Sequence, residues 1–107
     1  MMDIELLREY CISKQNVTES FPFNDTALVF KVAGKMFALL DLSEDGRGLT
    51  LKCDPELADE LREQYQEVTP AWHFNKKHWN TIKIDGTVPD KDIISWIDHS
   101  YSLIAGI

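Results

Sequence analysis

The residues best suited to binding chemistry form one basic and aromatic stretch in the second half of the sequence. No aspartate or glutamate occurs between Ala71 and Ile84. Lysine neutralises phosphate, and an aromatic ring stacks on an unpaired base. The stretch therefore predicts a nucleic-acid surface. The alternative is that its aromatic rings pack in the core while its lysines solvate a sheet face. Its basic and aromatic residues are Trp72, His73, Phe74, Lys76, Lys77, His78, Trp79 and Lys83.

The other reactive side chains do not form a recognisable catalytic set. Cys11 and Cys53 lie in apolar-patterned segments without metal-ligand spacing, so we expect two buried free thiols in a reducing compartment. His73 and His78 have no neighbouring cysteine or carboxylate that would complete a tetrahedral zinc site. We predict no catalytic residue, no metal site and no cofactor. A weaker alternative is metal binding by one acidic helix face, formed by Asp59, Glu60 and Glu63.

Length and charge limit the class of protein. The 107 residues, 44% of them hydrophobic, predict a single domain over residues 1–107 with a real core. The net charge of −7 argues against strong non-specific nucleic-acid binding, because the long-range field repels phosphate. No apolar run approaches the roughly 20 residues that cross a bilayer, and the acidic start is unlike an export signal. We expect a cytoplasmic protein with no membrane partner.

Apolar periodicity predicts a helix over residues 3–14, a β-hairpin over 27–40 and a third strand over 49–53. Asp54-Pro55-Glu56 is typical of a helix start, and Leu57, Leu61 and Tyr65 mark its expected buried stripe. A strand over 79–84 and a helix from about Asp90 follow. Phe21 to Asp25 is interpreted as a loop anchored by apolar side chains, with Asn24 in a left-handed turn.

The predicted order is α-β-β-β-α-β-α, and a short extra strand near Val68–Trp72 is left open. Hairpin connections favour an antiparallel sheet. Helices on one face of such a sheet would give an α+β fold, a two-layer α/β sandwich.

This architecture would separate the charges, because the predicted second and last helices are rich in aspartate and glutamate. Lys31, Lys52 and Lys83 alternate with apolar residues, so we expect them on the open face of the sheet. Lys35 and Arg47 lie near hairpin loops. The predicted nucleic-acid-binding residues are Lys31, Lys35, Arg47, Lys52, Lys76, Lys77 and Lys83, with Trp72 and Trp79 as candidate stacking residues.

Several segments resemble, in order, the motifs of the YjbR/MmcQ family. They are Glu19–Phe23, Val29–Ala38, Leu51–Glu56, His73–Trp79 with Ile84–Gly86, and Ser100–Ile104. The resemblance implies a two-layer sandwich comparable to secretion-chaperone and frataxin-like architectures. It also implies DNA binding through a "double-wing" motif of β-hairpins. Asn24 stands where many relatives have glycine, and asparagine is the usual substitute in a left-handed turn.

Two functions follow as hypotheses. The first is a non-enzymatic module that binds DNA through a basic sheet and hairpin surface. The alternative is a protein- or peptide-interaction module with a secretion-chaperone-like fold. In either case we expect a monomer or a weak dimer.

Overall fold

The computed structural model of the protein describes residues 3–43 and 48–107. Three helices and six strands follow in the order α-β-β-β-β-α-β-β-α, which confirms the α+β class. They are α1 (Ile4–Ser13), β1 (Val17–Ser20), β2 (Ala27–Val32), β3 (Lys35–Asp41), β4 (Gly48–Lys52), α2 (Pro55–Gln64), β5 (Val68–Pro70), β6 (Trp79–Lys83) and α3 (Asp90–Ala105). Within residues 3–43 and 48–107, no helix is long and apolar enough to cross a bilayer.

The strands form one open sheet in the order β1-β2-β3-β4-β6-β5, and every neighbouring pair is antiparallel. The antiparallel sheet predicted from the hairpins is confirmed. The predicted order was incomplete, because β1 was missed and the strand left open near Val68 is present as β5. Since β1 is an edge strand with mostly polar side chains, it lacks the apolar alternation that marks β2.

Side-chain caps begin two of the helices as the sequence predicts. The Asp3 carboxylate accepts a hydrogen bond from the Leu6 amide at 2.9 Å, and Asp54 accepts from the amides of Glu56 and Leu57. The buried face of α2 differs from the prediction. Ala58 and Leu61 are buried, whereas Leu57 and Tyr65 are only half-buried, so the face is rotated by about one position.

The core lies between the helices and one face of the sheet. Alternate strand residues enter it together with the inner sides of α1 and α3. The intervening strand residues belong to the other face, which we call the open face. The core set includes Leu7, Cys11, Phe30, Leu40, Leu49, Ile82 and Ile97, and the open-face set includes Val29, Lys31, Leu39, Thr50, Lys52, Trp79, Thr81 and Lys83.

One buried hydroxyl ties α3 to two strands. The pairing of β2 with β3 shifts register between Phe30 and Lys31, which interrupts the ladder next to Phe37. The hydroxyl of Ser100 donates to the Phe37 carbonyl at 2.5 Å and accepts from the Lys52 amide at 2.9 Å. Ser100 therefore satisfies two backbone groups that would otherwise lie unpaired beside the core.

We expect Ser100→Ala to destabilise the fold by about 2 to 3 kcal/mol, because it leaves a buried carbonyl and a buried amide without partners. Urea unfolding followed by circular dichroism measures the change. Ser95→Ala on the exposed side of α3 is the matched control, and we expect it to stay within about 0.5 kcal/mol. Equal losses in the two variants would contradict the role assigned to Ser100.

The β2–β3 hairpin turns through Ala33 and Gly34, which both have positive φ, 54° and 77°. Two-residue hairpins favour this backbone geometry because it matches the twist of the strands. Glycine adopts it freely, whereas alanine pays for its Cβ atom. Asparagine tolerates the left-handed region better than alanine does.

We therefore expect Ala33→Asn to stabilise the protein by about 0.5 to 1 kcal/mol, read as a higher urea midpoint with an unchanged slope. Ala33→Val is the opposing variant. A β-branched side chain at positive φ adds strain, so its midpoint should fall. If asparagine and valine shifted the midpoint equally, turn geometry would not limit stability here.

Candidate functional site

A cleft of about 600 Å³ crosses the open face of the sheet. Its floor is a row of paired strand residues, Leu39, Thr50, Thr81 and Thr69, contributed by β3, β4, β6 and β5. The hydroxyl oxygens of Thr50 and Thr81 are 2.9 Å apart and share a hydrogen bond. The floor thus combines apolar surface with hydroxyl groups, which suits a ligand that is partly flat and partly polar.

One wall of the cleft comes from the loop between β1 and β2. Phe23 and Asn24 line it, and Phe23 is 66% exposed. The prediction that this loop is anchored by its apolar residues was wrong, since Phe21 is also exposed. Asn24 is absent from the positive-φ residues of the described chain. Its side-chain oxygen instead holds the turn by accepting from the amides of Thr26 and Ala27.

The opposite wall comes from the loop between β5 and β6. Trp72, His73 and Phe74 line the cleft, and Trp72 is 68% exposed. The ammonium group of Lys76 lies 4.7 Å from the centre of the Trp72 ring, which is a cation–π contact. Trp79 is different, because it is half-buried and its ring packs 5.4 Å from that of Phe74. Of the two predicted stacking residues, Trp72 is therefore the more accessible.

Arg62 of α2 anchors this second wall. Its guanidinium donates to the side-chain oxygen of Asn80 at 2.7 Å, to the Trp79 carbonyl at 3.4 Å and to the Lys76 carbonyl. Asn80 is buried and donates in turn to the Ala58 carbonyl at 3.3 Å. Arg62 was not among the residues predicted for the site. Its contacts depend on two segments that are distant in sequence, so no local pattern indicates them.

Five of the seven predicted basic residues lie at the same end of the sheet. At this end of the sheet lie the β2–β3 turn, the last residue of β4 and the β5–β6 loop. Among the residues that the structure describes, none of the five forms an ion pair. We call this set the basic end. It consists of Lys31, Lys35, Lys52, Lys76 and Lys77.

The remaining two predicted basic residues are Lys83 and Arg47. Lys83 is on the open face, but it pairs with Gly48 at the opposite end, and its ammonium group is 3.8 Å from the Asp85 carboxylate. The Thr87 side chain and amide also donate to Asp85, and together these groups lower the pKa of that carboxyl. Arg47 lies outside the described residues. Asp41 lines the cleft at this opposite end, so the cleft has a carboxylate at the end away from the basic end.

The two cysteines are buried free thiols, as predicted. Burial raises the pKa of Cys11 to about 12 and that of Cys53 to about 11, so both thiols stay protonated at neutral pH. Within residues 3–43 and 48–107, no group of three or more histidine, cysteine, aspartate or glutamate side chains could hold a metal ion.

The fold and cleft define a class of protein, a small α+β domain with an open-faced antiparallel sheet and a lined cleft on that face. The chain belongs to the YjbR family, whose model matches residues 12–103. The Escherichia coli K12 protein YjbR, described as uncharacterised, is 38% identical over 100 residues, which cover 94% of this chain and 85% of that protein. YyaQ of Bacillus subtilis, also described as uncharacterised, is 38% identical over 66 residues, 58% of this chain and 55% of that protein.

Solved structures agree with this assignment. A Deinococcus radiodurans protein, whose crystal structure is described as a DUF419 domain, superposes with a TM-score of 0.90 at 41% identity, covering 97% of this chain and 79% of that one. A Pseudomonas syringae protein superposes with a TM-score of 0.82 at 29% identity, covering 96% and 99%. The resemblance read from the sequence motifs is thus confirmed.

We expect Arg62→Ala to destabilise the protein by about 2 to 3 kcal/mol and to loosen the β5–β6 loop. The substitution removes the guanidinium and leaves its acceptors on Asn80, Lys76 and Trp79 without that hydrogen-bond donor. Native-state hydrogen exchange at the Phe74 and His78 amides measures the loosening. Arg8→Ala is the control, since it removes an exposed pair with Glu19 and should leave both amides protected. Unchanged exchange in Arg62→Ala would contradict the anchoring role.

Proposed function

We propose that this protein is a non-enzymatic nucleic-acid-binding domain whose basic end contacts phosphate groups. The observation that carries the proposal is the gathering of Lys31, Lys35, Lys52, Lys76 and Lys77 at one end of the sheet. Their charges are not spent on ion pairs within the described part of the chain. Unpaired lysines release counterions when they meet phosphate, which is the main source of affinity for nucleic acids.

The net charge of −7 is compatible with this proposal, because many of the acidic residues and the basic end lie on different parts of the fold. The acidic residues of α2 and α3 belong to the helices, whereas the basic end belongs to the sheet, its hairpin and the β5–β6 loop. Phosphate is attracted to one end of the molecule and repelled by the rest, so the protein would bind in one orientation. Non-specific binding should be weak, and affinity should fall steeply with salt.

Family resemblance supports the same ligand. The β2–β3 hairpin carries Lys31 and Lys35, and the β5–β6 loop carries Lys76 and Lys77. We take these two projections as the β-hairpins that the double-wing description implies. Lys83 remains a candidate contact of lower weight, since Asp85 partly neutralises it. Arg47 remains a candidate contact from the sequence pattern alone. We take residues 1–107 as one binding unit, a two-layer domain with its ligand on the sheet side, acting as a monomer or weak dimer.

The absence of an enzymatic role is also part of the proposal. The two thiols are buried and protonated, which makes them poor nucleophiles. The Nε2 atom of His99 accepts from the Asp54 amide, a structural bond at the start of α2. None of these groups lines the cleft, whose floor consists of Leu39 and three threonine side chains.

A second candidate, from a different class, is a peptide-interaction module of the secretion-chaperone kind. The observation that favours it is the exposure of Phe23 and Trp72 on the two walls of the cleft, since large exposed apolar side chains around a groove are typical of protein-binding surfaces. Pull-down from a nuclease-treated lysate separates the two classes. Reproducible capture of one protein would favour the second candidate. Recovery of nucleic acid alone from an untreated lysate would favour the first.

We expect Lys76→Glu/Lys77→Glu to weaken DNA binding strongly, because two attractive contacts become repulsive. In fluorescence-anisotropy titrations at several salt concentrations, the slope of log affinity against log salt should fall by roughly two units. Lys31→Glu/Lys52→Glu should act in the same direction. The control is Lys91→Glu, a charge reversal at an exposed position of α3. We expect it to weaken DNA binding less than each reversal at the basic end does, and to change the slope of log affinity against log salt by less than about one unit.

The proposal fails if the wild-type protein shows no salt-sensitive binding at tens of micromolar protein. It also fails if the charge reversals at the basic end match Lys91→Glu residue for residue. Circular dichroism of every variant excludes unfolding as the cause of a loss.

A further inference from the structure

We propose that the cleft on the open face receives unpaired bases, so that the preferred ligand is single-stranded nucleic acid. This inference rests on the proposed function and deepens it, because lysine contacts alone do not distinguish single strands from duplexes. The cleft, rather than the basic end, would make that distinction.

Trp72 is the first reason. A tryptophan this exposed leaves a large apolar ring in contact with water, and its ring lines the cleft. The Lys76 ammonium group lies 4.7 Å from the centre of the ring and places positive charge beside it. A stacking ring next to a cation is the arrangement that single-strand-binding proteins use, since the base covers the ring while its phosphate meets the charge.

The floor supplies the second reason. Thr81 and Thr69 lie side by side on paired strands in the floor, and Thr50, which is only 6% exposed, is hydrogen-bonded to Thr81. Each hydroxyl has one donor and two acceptor positions, so the bond between Thr50 and Thr81 leaves capacity for the polar edge of a base. Leu39 and Phe23 contribute apolar surface beside these groups. Flat rings with polar edges match such a lining.

Charge supplies the third reason and sets a direction. The β5–β6 wall of the cleft departs from the basic end, whereas Asp41 lies at the opposite end of the cleft. A sugar–phosphate backbone would therefore run across the basic end and would avoid Asp41, leaving its bases to turn inward. A duplex keeps its bases stacked and paired, so only a single strand can offer them without unstacking.

The cleft volume is consistent with this occupant. About 600 Å³ lies within the range that encloses a drug-sized ligand. That range suits a small number of bases and not a folded domain. An extended acidic peptide is the competing occupant, and competition between such a peptide and single-stranded DNA distinguishes the two.

The test compares three probes by fluorescence anisotropy: a mixed-sequence single-stranded DNA, its duplex, and a strand of the same length with abasic sites at its centre. We expect the intact single strand to bind most tightly. Trp72→Ala should weaken that binding by about 5- to 100-fold and Trp72→Phe by much less, while duplex affinity stays nearly unchanged. Abasic substitution should lower the affinity of wild-type protein and have little further effect on Trp72→Ala.

Tryptophan fluorescence gives an independent readout of the same contact. Stacking should quench the emission of Trp72, so the quench on adding single strand should disappear in Trp72→Phe although binding persists. Trp96→Phe is the control, because that ring packs against Tyr65 within the fold and should not report the ligand.

The outcomes separate the two proposals. No salt-dependent binding to any probe would overturn the proposed function. Salt-dependent binding that is equal for single strand, duplex and abasic strand, and unaffected by Trp72→Ala, would leave that function standing and overturn this inference. Competition of an acidic peptide for the cleft, with no displacement by single-stranded DNA, would also overturn it.

Discussion

The open face of the sheet contains central side chains that need protection from water, and this constraint organises the molecule. Val29 is only 1% exposed and Thr50 only 6% exposed, yet neither belongs to the core formed with the helices. The loops after β1 and after β5 approach this face from different ends of the sheet. They leave a cleft between them, so the two walls of the candidate binding site come from these two loops.

The hydrogen bonds that hold the β5–β6 loop in place also contribute to the stability of the fold. Arg62 reaches from α2 to the loop, and Asn80 returns a hydrogen bond to α2. A buried polar network of this kind stabilises a fold only when every polar group in it has a hydrogen-bond partner. No buried side-chain nitrogen or oxygen in the described chain lacks a hydrogen-bond partner. The wall that carries Trp72 is consequently anchored to α2 at its base, while the ring itself is 68% exposed.

Local patterns predicted the parts of the structure that local physics controls. The Asp54 cap, the Ala33-Gly34 hairpin and the outward lysines on β2, β4 and β6 all follow from spacing and residue type. The parts that were missed depend on distant partners. β1 has little apolar alternation because it is an edge strand, and none of its four residues is fully buried. The cleft is built from four strands and two loops, and Asn24 adopts a side-chain-bonded turn where a left-handed backbone was expected.

The edges of the sheet have a consequence for how this protein meets others. One edge is β1, with four residues, and the other is β5, with three, the last of which is Pro70. Proline offers no amide hydrogen, and strands this short expose few free backbone groups. Growth of the sheet by adding a foreign strand is therefore poorly supported at either side. The short edges thus limit edge-to-edge pairing between copies in a protein whose described surface exposes Phe21, Phe23 and Trp72.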